Sequence, residues 1–272
     1  MLKLLQQSPL SARIGMGIVI LNILVAGFAP LIAPYGETSV VGDVWESFSA
    51  RFYFGTDHIG RDLFTRMVFG ARNTIVLAFI TTILSFSFGS LFGFIAAVKG
   101  GWTDQALSRI VDILMAFPTL IFALMILSVL GSSITTLIFT IAILDSTRVY
   151  RLSRAVAMDI EVMEFVEAAR LRGEGTWWII RQEILPNAMP PLIAEFGLRF
   201  CFVFLFIASL SFLGLGLQPP LSDWGGMVRE NAGAITFGIY IPLIPAGAIA
   251  FLTVGVNLIV DWFLHLSSGL HE

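Results

Sequence analysis

The stretch that settles the fold is Glu167-Ala168-Ala169-Arg170-Leu171-Arg172-Gly173, continued by Glu174 to Gln182 and closed by Ile184-Leu185-Pro186-Asn187. It is a polar island in an otherwise apolar chain. Upstream, Val162, Phe165, Val166 and Ala169 recur at i, i+3, i+4, i+7, which predicts one face of a helix. Gly173 and Gly175 predict a turn, because glycine alone enters φ > 0 without steric cost. A second short helix follows, with Trp177, Ile180 and Ile184 on one side. Pro186 is expected to stop it, and Pro190-Pro191 to precede the next apolar run. The expectation is two short helices at an angle, projecting from a membrane on its water side.

Composition supports that setting. Of 272 residues, 57% are hydrophobic and only 13% charged, with a mean hydropathy of +0.87. Soluble domains carry about 25% charged residues, so the chain reads as a multispan, all-α membrane protein. A net charge of −3 gives no reason to expect nucleic acid. Cys201 is the single cysteine, which excludes disulfides within the chain and thiolate metal sites. The first apolar stretch lacks a small-residue cleavage site and is followed by Pro30 and Pro34, so a retained anchor is expected.

Outward from the island, six apolar runs are each read as a span. They are Ile14 to Ala33, Thr74 to Val98, Ile113 to Leu130, a run opening at Ile134 to Leu144, Leu198 or Phe200 to Leu217, and Ile241 to Leu264. Gly89 and Gly93 predict a close helix approach. Lys99 to Arg109 reads as a short connection, and Pro118 as a kink in the third span. Asp145, Ser146, Thr147 and Arg148 interrupt the fourth run. A charge at mid-bilayer costs roughly 2.5–3.5 kcal/mol on insertion scales, so these residues are expected near an interface or against protein. Glu195 and Arg199 stand at i, i+4 and are expected to pair.

Between the first two spans lies Gly55-Thr56-Asp57-His58-Ile59-Gly60-Arg61-Asp62, where Thr56 or Asp57 is the expected N-cap of the next helix and His58 a surface residue rather than a ligand. From Arg148 to Pro190 the chain carries six arginines and six acids, a neutral mixture that suits protein docking. With both termini inside, Lys3, Arg13, Lys99, Arg109 and those six arginines are cytoplasmic, ten against the five outside (Arg51, Arg61, Arg66, Arg72, Arg229).

The Glu-Ala-Ala…Gly island ending in Ile-Leu-Pro-Asn resembles the cytoplasmic EAA loop of ABC importer permease subunits. Its ending, the Gly-Thr-Asp-x-x-Gly-Arg-Asp segment at 55–62 and Ser211-Phe212-Leu213-Gly214-Leu215-Gly216 with Asp223-Trp224-Gly225-Gly226-Met227 are similar to the C-type subunits of the dipeptide/oligopeptide/nickel branch. The resemblance implies the type I ABC importer permease fold, with an anchor and extracytoplasmic segment at 1–73, a five-helix core at 74–272 and a coupling loop at about 148–190. It implies a bacterial inner-membrane location, and coupling to an ATPase through Glu167, Ala168, Ala169, Arg170, Arg172, Gly173, Trp177 and Pro186. Ser211, Phe212 and Asn257 are its pathway candidates. The partners it implies are a homologous permease chain, two ATPase subunits carrying ATP and Mg, and an extracytoplasmic solute-binding protein. The chain departs from the branch at Glu183, where His is frequent, and at Ser146-Thr147, where relatives place Trp-Pro. It also has Ile207 where many carry Glu, which implies a less acidic tunnel, and Val260-Asp261-Trp262 near its end.

Lys3 and Lys99 are the only lysines and neither closes a phosphate loop, so ATP hydrolysis belongs to another chain. No carboxylate pair or His cluster suggests an enzyme, and no cofactor or metal is expected on this chain. The readings are a peptide permease subunit, a nickel or other small-solute permease of the same branch, or an ion-driven secondary transporter. The last requires ionisable residues at the midplane, and its candidates Asp145 and Asp261 are expected at span ends.

Overall fold

The computed structural model describes residues 8–267 and is helical throughout, with two isolated β-bridges and no sheet among the described residues. The main helices are α1 (Leu10–Gly27), α2 (Leu63–Lys99), α3 (Gly101–Ala116), α4 (Thr119–Leu130), α5 (Ile134–Glu161), α6 (Glu164–Leu171), α7 (Thr176–Phe212), α8 (Trp224–Asn231) and α9 (Leu243–Ser267). Lys3 lies outside the described residues. Four of the helices, α1, α2, α7 and α9, are long and apolar enough to cross a membrane; counting the bent pair α3–α4 as one span gives five.

The axis of the molecule is α2. At 1.5 Å per residue its 37 residues extend about 55 Å, well beyond a hydrocarbon core of about 30 Å. It packs mainly on α5, where Gly89 and Gly93 face Val149, Ser146, Tyr150 and Ser153. A Cβ at Gly89 would stand 2.5 Å from Val149 Cβ, so only glycine permits this approach. The helix begins eleven residues before the expected Thr74 and runs on past residue 73. Its N-cap is Asp62, which accepts from Thr65 N–H at 2.8 Å, and not Thr56 or Asp57. Those two serve the preceding loop instead.

Three further boundaries depart from expectation. Residues 101–116 form α3 rather than a connection, and the break at Phe117-Pro118 turns the chain by 88°, far more than a kink. The ring of Pro118 disfavours the α conformation at Phe117, which is extended (φ −92°, ψ 140°) and ends the helix. The apolar run opening at Ile134 belongs to a 28-residue helix reaching Glu161, so Asp145 lies well inside it. Finally, Pro186 does not stop a helix. Thr176–Phe212 is continuous, with a π-turn at Ile180–Ile184 and Pro190 and Pro191 inside it. The wide turn hands the Leu185 N–H back to Ile180 O, and Asn187 Nδ2 donates to Glu183 O at 2.6 Å, which occupies carbonyls near the prolines. At its other end α7 finishes at Phe212 rather than Leu217, because Gly214 (φ +90°) turns the chain out.

Chain direction fixes the two ends of the bundle. Gly15 meets Leu258 and Ile259 while Ile18 meets Gly255, so α1 and α9 are antiparallel. In α7, Gly197 lies against Val260 while Phe212 shares a cavity with Ala246 and Ile249, so α7 and α9 are antiparallel too. The described ends of α1 and α9 therefore share one end of the bundle with Lys99 and α6. The other end holds Asp62 and α8.

Candidate coupling and translocation sites

At the α6 end, a small apolar cluster of Phe94, Ala157, Ile160, Val166, Ile179, Ile180, Ile184, Ala188 and Leu192 clamps α6 and the π-turn onto α2 and α5. Burying a side chain such as Ile184, fully covered, is worth about 1.5–3 kcal/mol. Of the expected stripe, only Val166 and Ala169 turn inward; Val162 is 79% exposed because α5 ends there, and Phe165 is exposed too. Ala168 alone of the alanine pair is left on the surface.

The charged residues divide in the same way. Arg170 reaches Glu161 Oε1 and the carbonyl of Val98, tying α6 to the ends of α5 and α2. Arg172 lies 3.9 Å from Glu183 and covers the Trp178 ring at 5.6 Å. Both arginines thus hold the loop to its own chain. The Glu167 carboxylate has neither a hydrogen bond nor an ion pair, and with Leu171 (85% exposed), Trp177 and Pro186 it faces outward. Gly173 (φ +84°) makes the turn, while Gly175 (φ −80°) takes an ordinary backbone conformation and precedes α7 as its N-cap.

The opposite end is a closed cap. Asp57 is fully buried; its Oδ1 accepts from the N–H groups of Ile59 and Arg61, and its Oδ2 from Arg61 Nε and Arg66 Nη1, both at 2.7 Å. Glu230 completes the cluster from α8, 2.5 Å from Arg66 and 3.2 Å from Arg61. Burial pushes the Asp57 carboxyl up, but those two N–H groups and the two guanidiniums outweigh it and hold it below its ordinary value. His58 is partly buried, 3.9 Å from Glu230, and not a free surface residue. Asp57, His58 and Glu230 offer three ligand atoms within 4.8 Å, yet Arg61 and Arg66 already fill the carboxylate oxygens. The second motif locks the same cap. Asp223 caps α8 through Gly226 N–H, Trp224 Nε1 donates to Met67 O at 3.0 Å, and Gly225 lets α8 touch the backbone of Ala208.

The pathway candidates do not converge. Ser211 is buried beside Gly216 where α7 ends, and Phe212, half exposed, lines a cavity of about 450 Å³ between α7, α8 and α9. Asn257 is exposed about 21 Å along α9 from Leu243. Ile207 is fully buried in the main core, so it says nothing about tunnel acidity.

A polar cluster not anticipated as a unit lies in the middle of the bundle. The expected Glu195–Arg199 pair forms at 2.7 Å, and Asp145 joins it, 3.5 Å from Arg199 and 2.8 Å from Ser85 Oγ. Asp145 stands about 17 Å along α5 from Ile134, inside that helix rather than at its end. Sequence periodicity could not bring Ser85, Asp145 and Arg199 together, because they stand on three helices; the only local signal was the i, i+4 pair.

These features define an integral membrane subunit with one internally closed polar end and one open one. Residues 89–268 match the family described as binding-protein-dependent transport system inner membrane component, and the chain belongs to that family. It is 37% identical to the dipeptide transport system permease protein DppC of Alkalihalophilus pseudofirmus, over 92% of this chain and 83% of that protein. It is 32% identical to the probable D,D-dipeptide transport system permease protein DdpC of Escherichia coli K12, over 95% and 87%. The glutathione transport system permease protein GsiD of Pectobacterium atrosepticum matches at 29%, over 89% and 81%. A solved amino acid ABC transporter chain, determined with histidines, shares the fold with TM-score 0.52 at 23% identity, over 73% of this chain and 92% of that one.

Proposed function

We propose that the chain is a permease subunit of an ATP-driven importer of peptides. In this reading it forms half of a translocation pathway with a homologous chain. Residues 1–73 act as anchor and outer cap, and 74–272 as the core. The observation that carries the reading is the outward, unpaired set of Glu167, Ala168, Leu171 and Trp177 beside the Gly173 turn. A short helix held by its own arginines, yet presenting unmatched polar and apolar groups, suits docking into a cleft of an ATPase subunit. Two such ATPases would bind the ATP and Mg, and a solute-binding protein would deliver the peptide at the cap. The α6 end is then cytoplasmic, with both termini, as the ten-to-five excess of basic residues favours. Two of the five outer arginines, Arg61 and Arg66, are neutralised inside the cap, which leaves three as counter-signal.

The sixth span in this reading is α5, about 42 Å long, whose buried charge is compensated by Arg199. That compensation also weighs against an ion-driven carrier, since Asp145 is held by a permanent cation. The test is Glu167→Lys and Gly173→Asp in the assembled transporter. Both are expected to insert normally and to lose ATP-dependent peptide uptake. Normal uptake by both, with the ATPases bound, would overturn the coupling assignment.

A further inference from the structure

We propose that Arg148, on the open face of α5, holds the carboxylate of the solute part-way across the membrane. The inference rests on the reading of this chain as half of a peptide pathway. Arg148 stands about 21 Å along α5 from Ile134, within the depth a hydrocarbon core occupies. It is exposed, and its side chain makes neither a hydrogen bond nor a contact ion pair; the ring of Phe202 lies 5.8 Å away and Asp145 attracts it from further off. A guanidinium with all five donors free does not face lipid tails. It faces water, a solute or another protein.

The surroundings favour a solute. Arg148 borders a cavity of about 280 Å³ between α4, α5 and α7, together with Thr119, Leu120, Asp145 and Phe202. Arg199, 92% buried, lies 4.5 Å from the centre of the same Phe202 ring. Two of its N–H groups, on Nε and Nη1, find no well-aligned hydrogen bond despite the nearby Glu195 and Asp145. Asp145 accepts from Ser85 and pairs with Arg199, so it meets Arg148 only through longer-range Coulomb attraction and leaves the donors of Arg148 open. The cavity therefore offers one free planar donor fork, one partly neutralised carboxylate and an aromatic face. That set matches a zwitterionic solute with its carboxylate on Arg148, whose fork accepts two oxygens at once.

The experiment uses membrane vesicles holding the assembled transporter, with Cys201→Ser and a reporter Leu120→Cys on the cavity wall. Labelling is measured with an anionic sulfonate thiol reagent and a cationic ammonium one, with and without ATP and vanadate. The anionic reagent is expected to react roughly fivefold faster in at least one state, with Arg148→Gln bringing the ratio near unity and Arg148→Lys retaining it. In the Cys-replete transporter, Arg148→Gln is expected to lower uptake of a free dipeptide by about tenfold, and Arg148→Lys by less. No labelling in any state, as when a partner chain covers the cavity, overturns the proposal. So does a charge preference that Arg148→Gln leaves unchanged. Anion-selective labelling in a transporter that carries no peptide supports the anion site and overturns only the peptide reading.

Discussion

The cap around Arg66 and the turn around Gly173 sit at opposite ends of the same helix, and they treat charge in opposite ways. In the cap, two arginines and two carboxylates from distant segments neutralise each other, and Arg66 is 1% exposed. At the turn, Arg170 and Arg172 are spent on holding the loop, and Glu167 is left with nothing. Charge that is matched within one chain serves structure. Charge left unmatched on a rigid support is available to a partner, at the cost of nothing in the isolated chain. Both regions stand out as motifs in the sequence, so a motif alone does not say which role it plays.

The sharpest way to break this comparison is to remove one partner in the cap. Asp57→Asn removes one of the two carboxylates that hold Arg66 and leaves it Glu230 alone. It is expected to cost about 3 kcal/mol, the low end for breaking a buried pair, read as lost thermal stability of the purified protein. A loss below about 1 kcal/mol would mean the cap does not depend on its ion cluster. Next in size, Gly89→Val forces α2 and α5 apart and is expected to cost about 1–3 kcal/mol, with no change at either polar end.

Acidification distinguishes the ends without mutation. The folded pKa of Asp57 lies below its ordinary 3.8, so its stabilisation is present above pH 3.8 and is lost as pH falls through the lower folded value. Hydrogen exchange, corrected for the intrinsic pH dependence of amide exchange, is expected to show lost protection in residues 57–66 below pH 3.8 and unchanged protection in Glu164–Leu171, which has no comparable cluster. The smallest stability change belongs to Glu167→Lys. It is expected to stay within about 0.5 kcal/mol while uptake is lost. A large destabilisation there would show that Glu167 is structural after all.

Much of this was legible in the residues, and the misreadings have common causes. The Gly89–Gly93 step and the Glu195–Arg199 pair depend only on helical spacing, which sequence displays directly. Pro186 misled because a proline is a local stop signal, whereas the π-turn and the packing of Ile180, Ile184 and Ala188 carry the helix through it. Asp145 misled for the complementary reason. The apolar run ended at the first charge, but the helix continues through it, and Arg199 and Ser85, remote in sequence, partner that charge inside the bundle. Glu230 carried no signal, since its partners Arg61 and Arg66 lie more than 160 residues away.

By itself, the sequence determined that the protein is a membrane-embedded helical bundle without a phosphate loop, bearing a polar turn near residue 170. Those properties follow from composition and short spacings, which the solvent and the helix period read locally. Only the tertiary structure decided which charges are matched and which are free. That distinction sets Asp57 apart from Glu167 and Arg199 apart from Arg148. It depends on which groups from distant segments come within a few ångströms, where Coulomb attraction and hydrogen bonding act.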